Sequence, residues 1–181
     1  MTFQTSIDTD QGYGTFGNLY SDAPHVVETF ILRSPNPANN VYGRFFTTSS
    51  TEGIARAGGS RIGNIGSAGF LINPHHNASY GTQSQGPLSS TLTLPNEIEA
   101  EFLTRGFIYA NVQSGDTGVP RIGDYIFYSV NDGSLYASNQ FPLDPPSQTE
   151  FANARIDQFD PNSPGLCVIE VILVPLQDLI I

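Results

Sequence analysis

Residues 123–138 read GDYIFYSVNDGSLYAS and predict a β-hairpin at the centre of the fold. Two runs rich in aromatic and β-branched residues flank Asn131-Asp132-Gly133, and these residue types tolerate the backbone angles of a tight turn. Because side chains alternate along a strand, the first arm places large apolar groups on both of its faces. A strand that is covered on both faces belongs inside a closed or stacked sheet.

A weaker copy of this hairpin pattern begins 80 residues earlier, at Gly43. The segments Gly43-Arg44-Phe45-Phe46 and Gly53-Ile54-Ala55-Arg56 repeat the ten-residue spacing that separates Gly123 from Gly133. Glycines at strand starts and turns are common in β-proteins, so turn chemistry alone could produce this match. The sequence therefore leaves two interpretations open, a chance similarity and an internal duplication.

Further apolar runs predict strands that are separated by turns rich in glycine, proline and asparagine. No segment has the apolar period of a helix. We therefore predict an all-β fold, an antiparallel β-barrel or β-sandwich with an extended N-terminal arm. The expected division is an arm at residues 1–24 and a single β-rich body at residues 25–181. Besides the hairpin, strands are expected at residues 25–33, 41–48, 68–72, 88–94, 106–113, 153–159 and 165–174.

The charge of the chain limits its partners. Its 181 residues include 17 acidic residues and only 7 basic ones, all of them arginine. A net charge of −10 would repel phosphate backbones and anionic lipid, so we expect no direct contact with nucleic acid or membrane. Charged residues make up only 13% of the chain, about half of the usual share. Such a polar, sparsely charged surface is suited to burial against other protein chains.

Both ends of the chain carry apolar groups that predict docking. The first 24 residues are polar and rich in glycine but place bulky side chains between the glycines. Such an arm could dock on the chain's own body or on a neighbour, and the sequence leaves both open. The chain ends on apolar residues that are costly to leave in water. The expected interface residues are Phe3, Tyr13, Phe16, Leu19, Tyr20, Leu176, Leu179, Ile180 and Ile181.

No residue pattern predicts a metal, a cofactor or a nucleophile. His75 and His76 are adjacent and would need a distant partner such as His25 to hold a metal. Cys167, the only cysteine, lies in an apolar run and is expected to be a buried hydrophobe. Glycines 63, 66 and 69 do not match a phosphate-binding loop, and no lysine is present to meet a phosphate.

Glu97, Glu99 and Glu101 are the candidates for acid–base chemistry or for a cation site. An enzymatic interpretation would make the chain a glycan hydrolase or lyase that uses these carboxylates with Asp124. The chain has no tryptophan for a sugar platform, and nothing near the three glutamates supplies a nucleophile. We therefore expect a solvated or edge-protecting acidic face and no enzymatic activity.

The order of motifs along the chain resembles the capsid cement, or head decoration, proteins of tailed bacteriophages. The segments that carry this resemblance are QGYGTFGNLYSDAP, NVYGRFF, GSAGFLINPHH, LPNEIEAEFLTRGFIYANV, PRIGDYIFYSVNDGSLYA and ARIDQFDPNSPGLCVIEVIL, which together span nearly the whole chain. Each motif alone is strand and turn chemistry, so the specificity of the resemblance comes from their order and spacing.

The resemblance implies a structural virion protein that is not an enzyme. Such a protein would bind the outer surface of an expanded phage head as a homotrimer and clamp subunits of the major capsid protein. It would be synthesised in the host cytoplasm, in agreement with an N-terminus that lacks the basic region and apolar core of a signal peptide. The alternative is a β-domain of a phage tail fibre, tailspike or adhesin, although the chain shows no short repeat or stalk.

Overall fold

The computed structural model describes residues 16–20, 24–49, 53–61, 65–73, 93–114, 119–139, 148–159 and 165–172. Apart from one turn of 3-10 helix at Pro37–Asn39, the regular structure of these residues is β-strand, and they include no helix that could span a membrane. In chain order the strands are β1 (Val26–Leu32), β2 (Phe45–Ser49), β3 (Ile54–Ala57), β4 (Ile65–Leu71), β5 (Glu99–Ser114), β6 (Tyr125–Ser129), β7 (Leu135–Ser138), β8 (Thr149–Phe159) and β9 (Leu166–Val171).

The strands form two closed rings that share β5. One ring runs β1-β3-β2-β4-β5 and closes where β5 pairs with β1. The other runs β5-β7-β6-β8-β9 and closes where β9 pairs with β5. We call these rings the first and the second barrel. The predicted all-β fold is confirmed, and ring closure decides in favour of a barrel over a sandwich.

Strand β5 is long enough to serve both barrels because it has 16 residues. Its first half pairs with β1 and β4, and its second half, from Gly106 onwards, pairs with β9 and β7. Phe102, Leu103 and Thr104 are buried in succession, which interrupts the alternation seen on either side of them. At this position both faces of the strand are covered, because the chain is passing from one barrel into the next.

The core has two parts that follow the two barrels. The core of the first barrel contains Phe46 and Phe102, whose rings meet edge to face at 5.3 Å. The core of the second barrel extends across the boundary to Phe45, which stacks on Tyr128 with ring centroids 4.2 Å apart. Two consecutive residues of β2 therefore serve different cores, since successive side chains of a strand point to opposite faces.

The predicted central hairpin is formed by β6 and β7, which pair as antiparallel strands. Its turn docks on the first barrel, where the N–H group of Phe45 donates to the carbonyl oxygen of Gly133 at 3.1 Å. Gly133 has φ +73°, and a Cβ at this position would lie 2.2 Å from the carbonyl oxygen of Phe45. The turn therefore requires glycine, both for its backbone angle and for the close approach of the two barrels.

Several strand boundaries differ from the sequence predictions. Strand β2 begins at Phe45 instead of residue 41, because Gly43 adopts φ +78° and breaks the extended run. Strand β5 begins at Glu99, seven residues before the predicted start, because the acidic segment also pairs with β1. Most of the strand predicted at residues 88–94 lies outside the described residues, although Thr93 forms an isolated bridge with Val41.

Candidate interaction surface

The described part of the N-terminal arm, residues 16–20, packs on the chain's own body. Gly17 donates its N–H to the carbonyl oxygen of Tyr109 at 2.8 Å, and Tyr109 donates its own N–H to Asn18 at 2.9 Å. Leu19 forms an antiparallel bridge with Ile108 of β5. Of the two possibilities left open by the sequence, docking on the body therefore applies to this segment.

Two of the predicted interface side chains are partly covered by this docking. The ring of Tyr20 meets the ring of Tyr109 edge to face at 5.5 Å, and its hydroxyl accepts a hydrogen bond from Gln158 at 3.1 Å. Leu19 packs against the core of the second barrel. Phe16 is more open, with 36% of its surface exposed. The remaining six predicted interface residues lie outside the described residues: Phe3, Tyr13, Leu176, Leu179, Ile180 and Ile181.

A polar cluster fixes the two barrels against each other. The carboxylate of Glu150, on β8, accepts hydrogen bonds from the hydroxyls of Ser60 and Tyr128 and from the N–H group of Arg61 at 2.9 Å. The guanidinium of Arg61 lies 3.6 Å from this carboxylate and within 6 Å of the ring centres of Phe45 and Tyr128. Both charged side chains are largely buried, so solvent screens their attraction less than it would screen an exposed pair.

The surroundings lower the pKa of Glu150 and raise the pKa of Tyr128. Burial alone would raise the pKa of Glu150, but the hydrogen bonds from Ser60, Arg61 and Tyr128 and the charge of Arg61 outweigh it, so the pKa is lowered. Burial raises the pKa of the Tyr128 phenol, and its hydrogen bond to the ionised Glu150 adds to this. At neutral pH the carboxylate is therefore charged and the phenol neutral, which is the arrangement that the hydrogen bonds require.

A second ion pair lies where the hairpin turn meets the first barrel. Arg44 places its Nη1 atom 3.4 Å from the Asp132 carboxylate and 3.2 Å from the carbonyl oxygen of the same residue. Burial would raise the pKa of Asp132, but hydrogen bonds from Ser134 and Ser129 and the charge of Arg44 lower it overall. Both sides of the contact between the barrels therefore carry an arginine from the first barrel and a carboxylate from the second.

The three candidate carboxylates do not converge. Glu97 forms an exposed ion pair with Arg33, with Nε and Oε1 2.8 Å apart, and this hydrogen bond lowers the pKa of Glu97 despite a small opposing effect of burial. Glu99 and Glu101 are exposed on β5, opposite Ile31 and Thr29 of β1. Within the described ranges, no three histidine, cysteine or acidic side chains group closely enough to hold a metal ion. These glutamates line an open barrel wall.

Cys167 is fully buried on β9, as the sequence predicted. Burial, with a smaller contribution from the charge of Asp124, raises the pKa of its thiol to about 11. At neutral pH this thiol is protonated and shielded, so it is a packing group.

Sequence reasoning missed a set of large apolar side chains that are exposed on the body. Their positions within strand and turn patterns gave no reason to separate them from core residues. Ile122 stands out, because 66% of its surface is exposed while its neighbour Pro120 is buried. The other exposed groups among the described residues are Val26, Ile31, Val119 and Ile172, in addition to Phe16.

Comparison with known protein families identifies the family of the chain. The family model described as "Structural cement protein (E217 gp24/Pam3 gp6)" matches residues 3–172. The chain belongs to the phage structural cement protein family. This result confirms the resemblance found in the sequence and assigns the chain a capsid cement, or decoration, role. The cement protein is therefore a virion component of a phage capsid.

A solved structure supports the same architecture for this cement protein. A chain in the structure titled "The capsid of Myoviridae Phage XM1" has a TM-score of 0.57 with 17% sequence identity. The alignment covers 94% of the cement protein and 98% of that chain. At this identity the similarity establishes the fold. No curated protein is similar enough in sequence to match the chain.

Proposed function

We propose that the cement protein binds the outer surface of the phage head and clamps adjacent subunits of the major capsid protein together. The observation that carries the proposal is the family match over residues 3–172. The surface is consistent with it, since large apolar side chains are exposed on a body with few charged residues. A lattice repeats each contact many times, so a modest interface free energy per copy can stabilise the shell.

The proposed assembly is a homotrimer that is made in the host cytoplasm and joins the head afterwards. A role without catalysis agrees with a family described as structural. It also agrees with the two described clefts of the body, which are lined by neither carboxylates nor histidines. We propose no cofactor or metal, and the net charge of −10 argues against contact with the packaged nucleic acid or with membrane.

In this proposal residues 1–24 form the arm and residues 25–181 the body. The packing of residues 16–20 on β5 suggests that this segment anchors the arm, so that Phe3 and Tyr13 reach a neighbouring subunit. Phe16, Leu19 and Tyr20 would then sit at the base of the contact. The C-terminal residues Leu176, Leu179, Ile180 and Ile181 are proposed to contribute to another contact.

The direct test is binding to phage heads assembled without this protein. The purified chain should co-sediment with expanded heads at saturation, and imaging should place its density on the outer surface between capsid subunits. The fibre or tailspike alternative predicts density at the tail and a few dozen copies per particle. No binding at any protein concentration would reject the proposal.

A further inference from the structure

The two barrels have the same strand order and the same pairing directions. In chain order, β1, β2, β3, β4 and the first half of β5 in the first barrel correspond to the second half of β5, β6, β7, β8 and β9 in the second. In each barrel the first strand pairs in parallel with the third, β1 with β3 and β5 with β7. The remaining pairings of both rings are antiparallel.

The pairing register is shared as well as the topology. Ala55 lies opposite Thr48, and 80 positions later Leu135 lies opposite Tyr128. The parallel pairing of Leu32 with Ala55 recurs at the same distance along the chain, and so does the β-bulge between the second and the fourth strand. Since a slip by one residue would reverse every side chain, turn chemistry alone does not produce a shared register. The structure therefore favours internal duplication over chance similarity, the two interpretations that the sequence left open.

The closing strand of each barrel also keeps its register. Leu71 of β4 lies opposite Phe102, and the matching residue of β8, Ile156, lies opposite Ile169, which is 67 positions after Phe102. The pairings of the closing strand with the first strand give the same distance of 67 positions. The first half of β5 therefore corresponds to β9, and the continuation of β5 into the second barrel corresponds to the residues that follow β9.

One corner in each barrel has the same backbone but different surroundings. We define the covered corner as residues 41–44 and the open corner as residues 121–124. Their glycines, Gly43 and Gly123, have φ +78° and +89°. Each donates its N–H at 2.8 Å to a carbonyl oxygen at matching residues of the fourth strand. The two corners are therefore equivalent positions of the repeated unit.

The covered corner lies under the continuation of β5. A Cβ at Gly43 would be 3.2 Å from the carbonyl oxygen of Tyr109 and 3.5 Å from the Cα atom of Ala110. Both residues follow the half of β5 that closes the first barrel. The backbone nitrogen of Gly17, 3.3 Å from the same Cβ position, adds a second layer. Tyr42 is only 5% exposed as a result.

The open corner has no such cover among the described residues. Apart from chain neighbours, no described atom lies within 4 Å of the Cβ position of Gly123. Ile122, the counterpart of Tyr42, is 66% exposed, and Val119 is 61% exposed. Arg121 is exposed beside them. Compared with the covered corner, this one lacks the strand that continues from the closing strand.

The missing strand corresponds to the segment after β9. At a distance of 67 positions, Tyr109 and Ala110 match Leu176 and Gln177. The first half of β5 has one extra residue in a bulge against β1 that β9 lacks, which moves the match back by one position at most. Leu176 belongs to the matching pair in either case.

Residues 173–181 have a composition that suits the open corner. They read LVPLQDLII, with six apolar residues to cover the exposed Ile122. Their one charged side chain, Asp178, is opposite in sign to the exposed Arg121. Because the segment follows directly on Ile172, at the end of β9, its effective concentration at the same barrel is high.

We propose that residues 173–181 cover the open corner of the same chain, with Leu176 packed against Ile122. The last three residues would lie beyond the corner, so the segment would anchor the proposed C-terminal contact as residues 16–20 anchor the N-terminal arm. The docking takes place within one chain, and it therefore does not depend on binding to heads.

Maleimide labelling of Ile122→Cys in the free chain tests this cover, with Ile31→Cys as the matched control. Ile31 is an isoleucine on the wall of the first barrel and is 39% exposed, so an uncovered position 122 should react at least as fast. In the full chain at pH 7 and low protein concentration, we expect position 122 to react at least tenfold more slowly than position 31. In a variant ending at residue 172, position 122 should become at least tenfold faster, and position 31 should not change. Cys167 is buried and its pKa is raised to about 11, so its lack of reaction verifies that the shortened chain is folded.

Leu176→Asp tests the register without removing any residue, and Ile181→Asp is its matched control. In the Ile122→Cys background, Leu176→Asp should accelerate labelling at least tenfold, because a carboxylate is not stable against apolar side chains. Ile181→Asp should leave the rate unchanged. Equal rates in the two variants would contradict the placement of Leu176 at the corner.

Three outcomes would overturn the proposal. The first is labelling of Ile122→Cys in the full chain that is as fast as labelling of Ile31→Cys. The second is slow labelling that persists in the variant ending at residue 172 but disappears on dilution, which would assign the corner to a second copy. The third is slow labelling that disappears only when residues 1–15 are deleted, which would assign it to the N-terminal arm. Each of them leaves the proposed function standing, since head binding is measured separately.

Discussion

At the scale of single residues, Gly133 and Gly123 share a left-handed backbone but differ in what surrounds them. A Cβ at Gly133 would lie 2.2 Å from the carbonyl oxygen of Phe45, whereas no described atom lies within 4 Å of the position at Gly123. We expect Gly123→Ala to cost about 1–2 kcal/mol through its backbone angle. Gly133→Ala should cost about 1–3 kcal/mol more, because the barrels must move apart. Urea unfolding measures both, and equal losses would contradict a tight contact at the turn.

Glu150 gives the contact between the barrels a pH dependence. Because its pKa is lowered in the folded chain, its contribution to stability is complete above its ordinary value of 4.5 and is lost as pH falls through the lower folded value. Glu150→Gln should lower the unfolding free energy by about 1–3 kcal/mol at pH 7. The difference in unfolding free energy between wild type and variant should become smaller below pH 4.5 in urea titrations at several pH values. Glu99→Gln, on the exposed barrel wall, is the matched control. A difference in unfolding free energy that does not change with pH would contradict the role of Glu150.

At the scale of elements, local signals predicted more than long-range ones did. The turn residues Asn131-Asp132-Gly133 and the flanking aromatic runs located the hairpin, since both signals lie within a few residues of each other. The extent of β5 was not predictable, because its acidic first half is a strand through pairing with β1 and β4, which lie some 70 and 30 residues earlier in the chain. Docking of the arm could be predicted from its bulky groups between glycines, but the surface that receives them could not. The exposure of Ile122 could not be predicted, because this residue differs from a core isoleucine only by its place in the fold.

Because β5 runs through both barrels, we expect them to unfold as one unit. Leu103, in the middle of the strand, is fully buried and belongs to the core of the second barrel although it pairs with β1 and β4 of the first. Leu103→Ala should destabilise the chain by about 2–5 kcal/mol. In scanning calorimetry the wild type should show one transition with equal calorimetric and van't Hoff enthalpies, and the variant one transition at a lower temperature. Two separate transitions, of which the variant shifts only one, would show that the barrels are independent.

At the scale of the whole molecule, the structure separates the anchoring of the N-terminal arm from its reach. Residues 16–20 hold to the body through backbone hydrogen bonds with Phe107 and Tyr109 and through the Tyr20 side chain. A variant lacking residues 1–15 keeps these contacts, so its melting temperature should equal that of the wild type. If the preceding residues reach a neighbouring subunit, its affinity for heads assembled without the protein should fall at least tenfold in a co-sedimentation assay. A variant lacking residues 1–20 serves as the comparison, because it loses the anchor as well and should also melt at a lower temperature. Undiminished head binding by the shorter deletion would reject a role for the arm in attachment and would assign head binding to surfaces of the body.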